Sequence, residues 1–365
     1  MKKYISLFLC VLCVLTLFSC SKTREKNILK PSEYVDTAMT DNYVLDIYED
    51  YVEVVDYTGE DEELVIIDEY DSLPVKSIGD YAFKDNLKLK SVTIPSSVLK
   101  IGQYAFSKCK NIESIEIGKN VSQICNNAFE SCKSLKSIVI PSSVVDLGAV
   151  AFLMCEELEK VSIPDQLDNI GAGVFAYTTW LDSFEDEFVF AGDNVLIDYK
   201  GDDTEVSLPE KTKHVSAFFE KFELKKVVFN KGLKTVGDMC FSDCGELEEV
   251  VFSDTVETIG EKAFVWCQSL KKLDIPSSVV TIEDEAFSDC VGFTEFTVAS
   301  GVRNVGLNAF RRCESLKDIY FENSDLHLEY KLFGNEGKAV TLHAKAGSAI
   351  EEYCKKQGFK FESID

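Results

Sequence analysis

Histidine is nearly missing from this sequence of 365 residues: there are three, His214, His327 and His343, and none stands in a His-Glu-x-x-His pair or beside a nucleophile. Gly-x-Ser-x-Gly elbows and glycine-rich phosphate loops are missing as well. Without those parts, nucleophilic, metallopeptidase and phosphoryl-transfer chemistry has no starting point, and no catalytic residue, cofactor or metal ligand is assigned. Positive charge is also scarce. Lysine and arginine number 38 against 63 acidic residues, a formal net charge of −25. Such a charge repels a phosphate backbone and leaves no basic footprint for counterion release, so nucleic acid is not an expected partner. A membrane-spanning run is lacking too, since the apolar stretch Tyr4 to Phe18 is shorter than the about 20 residues a spanning helix needs.

That stretch has instead the layout of a secretion signal. Lys2 and Lys3 precede it, Ser19 and Cys20 follow, and the chain turns polar from Ser21 to Asn27. The pattern resembles a bacterial lipoprotein signal, with Phe18 standing where that pattern has a smaller residue. The resemblance implies that residues 1–19 are removed and that Cys20 is acylated, a lipid attachment holding the protein to a membrane. An ordinary secretory signal with an incidental cysteine is the other reading. Residues 20–42 lack periodicity, and Pro31, Ser32 and Asp41-Asn42 are loop residues, so this stretch is read as a flexible tether. Fully extended, it reaches about 70 Å.

What the chain has in abundance is repetition. Phenylalanine recurs at 83, 106, 129, 152 and 175 and again at 218, 241, 264, 287 and 310, every step within each group being 23 residues. The register covers neighbouring slots as well. Six residues after each Phe comes an apolar residue, as in Leu89, Ile112 and Leu135, and three residues later another, as in Val92, Ile115 and Ile138. Ile115 and Ile117 alternate with Ser114 and Glu116, the period of a strand with one buried face. In Ile101-Gly102-Gln103-Tyr104-Ala105-Phe106 the apolar spacing suits a short helical turn. Each unit is therefore one turn of a coil, strand out and helical turn back. A lone unit cannot cover its apolar face, so stability comes from stacking on neighbours.

The expected architecture is an α/β repeat solenoid of ten units with one parallel sheet, roughly 50 Å long at the ~4.8 Å spacing of adjacent strands. The pattern resembles the BspA-like leucine-rich repeats of bacterial surface proteins over about residues 78–326. Pro95, Pro141, Pro164 and Pro276 match the proline that follows the strand in that family, whereas Gly118, Asn230, Ser253 and Ala299 depart from it. The resemblance implies a surface-displayed, non-enzymatic protein engaged in attachment to host extracellular proteins.

The register breaks once, between Phe175 and Phe218, and Asp186 falls where a buried strand residue belongs. The repeats thus form two arms, 78–184 and 215–326, separated by an interruption at 185–214. Residues 195–206 alternate about Gly201-Asp202 like a hairpin, and 54–67 echo them about Gly59. Residues 43–77 are accordingly expected to be an N-terminal hairpin cap. In 327–365 a strand at Val340–Ala344, a capping box Ser348-x-x-Glu351, a helix to about Gln357 and a strand at Phe359–Phe361 make a C-terminal cap.

Seven cysteines share one slot: Cys109, Cys132, Cys155, Cys244, Cys267, Cys290 and Cys313. A row of disulfides or a metal ladder is one reading; the favoured one is small buried thiols donating weakly to backbone carbonyls, because Asn86 and Thr178 occupy the same slot. Glu60-Asp61-Glu62-Glu63 lacks the ligand spacing of a calcium loop and reads as a solvated tip.

Two surfaces are candidates for contact. The outward strand positions Glu116, Val139, Ser162, Val251, Asp274, Thr297 and Tyr320, flanked by Ser114, Ser137, Lys160, Lys226, Glu249, Lys272 and Glu295, form a wide mixed face suited to a flat protein or glycan. The second is an apolar patch on the turn side, Val150, Leu153, Met154, Tyr177 and Trp180, with Trp266 further along. It either binds a partner or is covered by the interruption. The leading expectation is adhesion to host or neighbouring-cell proteins; the alternative is a lipoprotein that captures glycans or peptides for a transporter.

Overall fold

The computed structural model describes residues 29–164, 167, 169–192, 194–218, 220–326, 328, 331–334 and 339–364. The signal, Cys20 and His327 lie outside the described residues. The repeats build the expected parallel-sheet solenoid. In the first arm the strands Ser91–Thr93, Ser114–Glu116, Ser137–Val139 and Lys160–Ser162 lie side by side, Ser91 opposite Ser114 and Ser137 opposite Lys160. Each pairing is one repeat apart. Most coils also carry a second, two-residue strand, as at Lys100–Ile101, Gln123–Ile124 and Asp146–Leu147, so the core is flanked by a second parallel sheet where one sheet was expected.

The helical return predicted for Ile-Gly-x-x-Ala-Phe is corrected: this segment is a chain of tight turns. Tyr104, Phe106 and Lys108 donate their N–H groups across to Asn126, Ala128 and Glu130 of the next coil, at 3.2, 2.7 and 2.7 Å. The alternating N–H groups of Ala105, Ser107 and Cys109 turn back to Gly102, Tyr104 and Phe106 in the same coil. This alternation requires left-handed backbone twice per coil, at Tyr104 (φ 56°) and Lys108 (φ 63°), and the same two slots recur at Asn127 and Ser131 and at Val150 and Met154. Non-glycine residues adopt that conformation at a cost, which the ladder between coils offsets. Asp80 strengthens the turn by accepting the Gln103 N–H at 2.8 Å. A Cβ on Gly102 would lie 2.7 Å from that same Asp80 oxygen and 2.6 Å from the Gly79 carbonyl carbon, so close approach of the coils dictates glycine there.

Inside the coil the Phe slot becomes a column. Phe83, Phe106, Phe129, Phe152 and Phe175 are buried with successive ring centroids 4.7, 5.3, 5.0 and 5.5 Å apart and nearly parallel planes. Phe218 through Phe310 repeat the arrangement in the second arm. The ladder cysteines are free and buried, and each thiol donates to the carbonyl of the Phe one coil back, Cys132 to Phe106 at 3.2 Å and Cys155 to Phe129 at 3.2 Å.

Strands pair differently at the ends of the arms than their alternation suggests. The predicted loop through residue 42 is corrected, because β1 (Tyr34–Met39) pairs antiparallel with β2 (Tyr43–Tyr48), which pairs with β3 (Val52–Tyr57). The hairpin of the cap is thus 43–57 rather than 54–67, and that of the interruption joins Phe188–Ala191 to Val195–Tyr199 rather than spanning 195–206. Leu64 and Val206 each cross to the opposite sheet, where Glu63–Val65 pairs with Ser91–Thr93 and Glu205–Ser207 with Lys226–Val228. Tyr57 and Tyr199 take the Phe slot of these opening coils, 5.2 Å from Phe83 and 5.5 Å from Phe218, and close each aromatic column.

The first arm ends where the short helix α1 (Thr179–Asp182), capped by Thr178, replaces the strand of the fifth unit. In the second arm Leu273 and Ile275 stay buried although the segment around them makes no strand, so the coil continues while the sheet is split. At the C-terminus Thr341–Ala344, helix α2 (Ala349–Gln357) and Lys360–Ser363 cover the last coil. Gly358 ends α2 in the left-handed region as expected, but neither bond of the capping box forms: the Ser348 side chain makes no cap bond, and Glu351 accepts the N–H of Gly347, one residue before the cap, at 2.8 Å.

The two arms have separate buried cores. They meet at a seam where Ala172 N–H donates to the Asp238 carbonyl at 2.9 Å and Ser216 Oγ bonds the Ile170 carbonyl.

Candidate functional site

The outward sheet positions do come to one surface in each arm. In the first, Val65, Thr93 and Glu116 follow one another in register, and Val139 lies opposite Ser162. Ser91, Ser114 and Ser137 run beside them. Side chains here are short and mostly uncharged, and two valines stand out, Val65 at 70% and Val139 at 66% exposure. Such a surface desolvates cheaply and still offers hydroxyl groups for hydrogen bonds.

The second arm presents a different chemistry. Glu205, Lys226 and Glu249 face one another in register, and Lys226 Nζ lies 2.9 Å from Glu249. Lys272 pairs with Asp274 at 2.8 Å; Asp274, expected on a strand, is exposed on the non-strand segment. Val251 is the one predicted face residue of this arm that is both apolar and exposed. Exposed pairs of this kind are worth about 0–1 kcal/mol, so they pattern charge more than they add stability. At the far end Thr297, Tyr320 and His343 lie in register. The Tyr320 and His343 rings stack at 4.4 Å, and His343 Nε2 is 2.8 Å from Asp318.

The face is longer than the repeat register alone indicated. Val65 and His343 extend it into both caps, and neither was among the expected site residues. For His343 a signal existed, since Leu342 follows Ile319 by 23 residues and continues the strand slot. For Val65 the spacing to Thr93 is 28, which hides it.

The predicted apolar patch is corrected. Val150 and Leu153 are buried together with Ala149 against Met154, Ala176 and Met239. The cover comes from Met239 in the second arm, not from residues 185–214. Trp180 packs edge-on against Phe175 at 4.9 Å and Phe184 at 5.1 Å, inside the end of the first core. Tyr177 remains half exposed and its hydroxyl donates to Glu220 at 3.0 Å. Trp266 lies half-buried on a separate coil. These six residues therefore do not form one exposed surface.

Other sequence features resolve into local structure. Glu60 and Glu62 of the acidic tip pair with Lys88 and Lys90, the latter at 2.7 Å. Burial pushes the ladder thiols up, Cys109 and Cys313 to about 12, so that they stay protonated. Among the described residues no three His, Cys, Asp or Glu side chains gather to hold a metal ion, and no helix is long and apolar enough to cross a membrane.

The chain is similar, at low identity, to solved structures of bacterial leucine-rich-repeat proteins. A leucine rich cell surface protein of Faecalibacterium prausnitzii is 22% identical over 80% of this chain and 96% of its own, with a TM-score of 0.39. The pneumococcal vaccine antigen PcpA is 20% identical over 90% and 99%, with a TM-score of 0.46. A leucine rich repeat protein of T. pallidum is 26% identical over 66% and 90%, with a TM-score of 0.36. Among curated proteins none matches the chain. The family described as BspA type leucine rich repeat region matches residues 76–188 and 212–339 in six copies, more than half of the length, and the chain therefore belongs to the BspA type leucine rich repeat family.

Proposed function

We propose that this protein is a non-enzymatic binding module of the bacterial cell surface, held by a lipid on Cys20, whose sheet face grips another protein in an adhesive contact. The observation that carries the reading is the first-arm face: a flat strip of short hydroxyl side chains, Ser91, Ser114, Ser137 and Thr93, with Val65 and Val139 exposed on it and Glu116 beside Thr93. Flat surfaces of this kind match protein partners, whereas a small molecule is bound in a concave apolar pocket. The negative net charge of −25 favours a partner without a phosphate backbone.

A soluble chain beginning at Asn27, probed against host-matrix proteins, glycans and bacterial surface proteins, tests the reading. Binding of a protein that weakens at least about tenfold in Val139→Arg, with thermal stability held within about 0.5 kcal/mol, is the expected result. Lack of any protein ligand, or binding indifferent to Val139→Arg and Ser114→Glu, overturns it. Strong thermal stabilisation by an oligosaccharide or peptide instead favours capture for a transporter. For the anchor, Cys20→Ser releases the protein from membranes; retention of that variant refutes lipid attachment.

A further inference from the structure

The seam between the arms is built on carboxylates that face neutral donors. Asp238, buried, accepts the Glu261 N–H on Oδ1 at 2.9 Å and the side-chain amide of Asn169 on Oδ2 at 3.1 Å. The same Asn169 amide nitrogen donates to Asp146 at 3.2 Å, so one neutral group from the first arm bridges a carboxylate of each arm. On the turn side Glu220 of the second arm accepts from the Tyr177 hydroxyl of the first at 3.0 Å. Among the described residues neither Asp238 nor Glu220 forms an ion pair. The charged groups around Asp238 are Asp146 and Glu261, both buried, and Lys262, which is bonded to Glu261 at 2.9 Å and faces Glu285 and Asp238 itself, opposing in part the two carboxylates. Asp243 stands near Glu220. The packing is tight as well: a Cβ on Gly237 would approach the Ile170 carbonyl to 3.1 Å.

We propose that this seam is a proton-linked joint, closed when Asp238 and Glu220 carry their protons and loosened when they ionise against Asp146, Glu261 and Asp243. Burial, then the charges of Glu261 and Asp146, push Asp238 up to about 8, against the opposing effect of its two hydrogen bonds. Burial likewise raises Glu220. A carboxyl whose proton is held more tightly in the closed state than in water supports closure fully below its ordinary value near 4. That support is lost as pH rises through about 8. Each of the two protons contributes at most about tenfold per pH unit to the change in the opening equilibrium. The joint is thus tightest in acid and most compliant in mild alkali, which ties the relative freedom of the two binding faces to the surrounding pH.

Hydrogen exchange of the full chain from pH 5.5 to 9.0, corrected for intrinsic rates, tests this. Peptides containing Ala172 and Gly237 are expected to open more readily as pH rises, by up to about tenfold per unit below pH 8, the slope halving at a midpoint near pH 8 and vanishing above it, while peptides around Phe106 stay flat. Asp238→Asn, which cannot ionise and keeps an oxygen for the Glu261 N–H, is expected to reduce the slope to what Glu220 alone contributes. Asp146→Asn removes a neighbouring charge and is expected to move the midpoint to lower pH; it carries the test if Asp238→Asn does not fold. Equal pH dependence at the seam and at Phe106 overturns the proposal, as does an unchanged slope in Asp238→Asn or an unmoved midpoint in Asp146→Asn.

Discussion

Truncating one ring of the first aromatic column, Phe129→Ala, is the sharpest test of how this solenoid holds together. Phe129 is fully buried and lies between Phe106 at 5.3 Å and Phe152 at 5.0 Å, with both ring planes within 12° of its own. Deleting a buried Phe side chain costs about 3–5 kcal/mol, depending on how far the surroundings collapse into the space. Collapse is restricted here, because the coils on either side are pinned by backbone bonds from Phe106 to Ala128 at 2.7 Å and from Phe129 to Ala151 at 2.8 Å. The expected loss is therefore at least about 4 kcal/mol, the middle of that range. It should also be local, since the two arms have separate cores and each coil touches mainly its neighbours. The two tryptophans report on one arm each. Trp180 packs on Phe175 at the end of the first, and Trp266 sits in the second. Urea unfolding followed by fluorescence in Trp266→Phe and Trp180→Phe backgrounds separates the arms. Phe129→Ala should lower the Trp180 transition by about 4 kcal/mol and the Trp266 transition by less than about 1 kcal/mol. A loss below about 2 kcal/mol refutes the pinned column, and equal losses in both signals refute independent cores.

Three further outcomes follow from the same geometry. The ladder thiols should resist maleimide in the folded protein at pH 8 and react fully in denaturant, since a thiol held near 12, as Cys109 is, has on the order of 10³-fold less thiolate there than an ordinary one; rapid labelling of folded protein, read by mass spectrometry, contradicts their burial. Gly118→Ala should cost more than about 1 kcal/mol, because its Cβ would lie 2.3 Å from the Pro95 carbonyl oxygen, while Gly245→Ala, with nothing within 4 Å, should be neutral or slightly stabilising. Paired melting curves decide that contrast, and similar midpoints for the two variants count against the close stacking of coils. Replacing Asp80 with Ala should cost about 1 kcal/mol, the value of a lost side-chain cap on the Gln103 N–H, read by the same melts.

The sequence alone determined the coil: a 23-residue spacing of Phe106, Phe129 and Phe152, with Ile115 and Ile138 in the strand slot, leaves only one way to bury so many apolar residues. It also placed Glu116, Val139 and Ser162 on the outside, because strand alternation is a local property of the chain. Backbone conformation in the turns was not legible. Tyr104, Lys108 and Val150 carry no mark of left-handed φ, and they adopt it only because a neighbouring coil receives their N–H groups. The hairpins went astray for a related reason: alternation in 195–206 and 54–67 identifies strands but not partners, and stacking on the opposite sheet won over the nearest turn. The same applies to the first arm's apolar residues on the turn side. Val150 and Leu153 look exposed in the repeat register, and Met239, far along the chain, covers them. Repetition encodes what each coil shares with the next, so burial and facing are written locally. How the second arm meets the first, with Asn169 bridging Asp146 and Asp238, occurs once in the molecule, and only the assembled tertiary structure decides it.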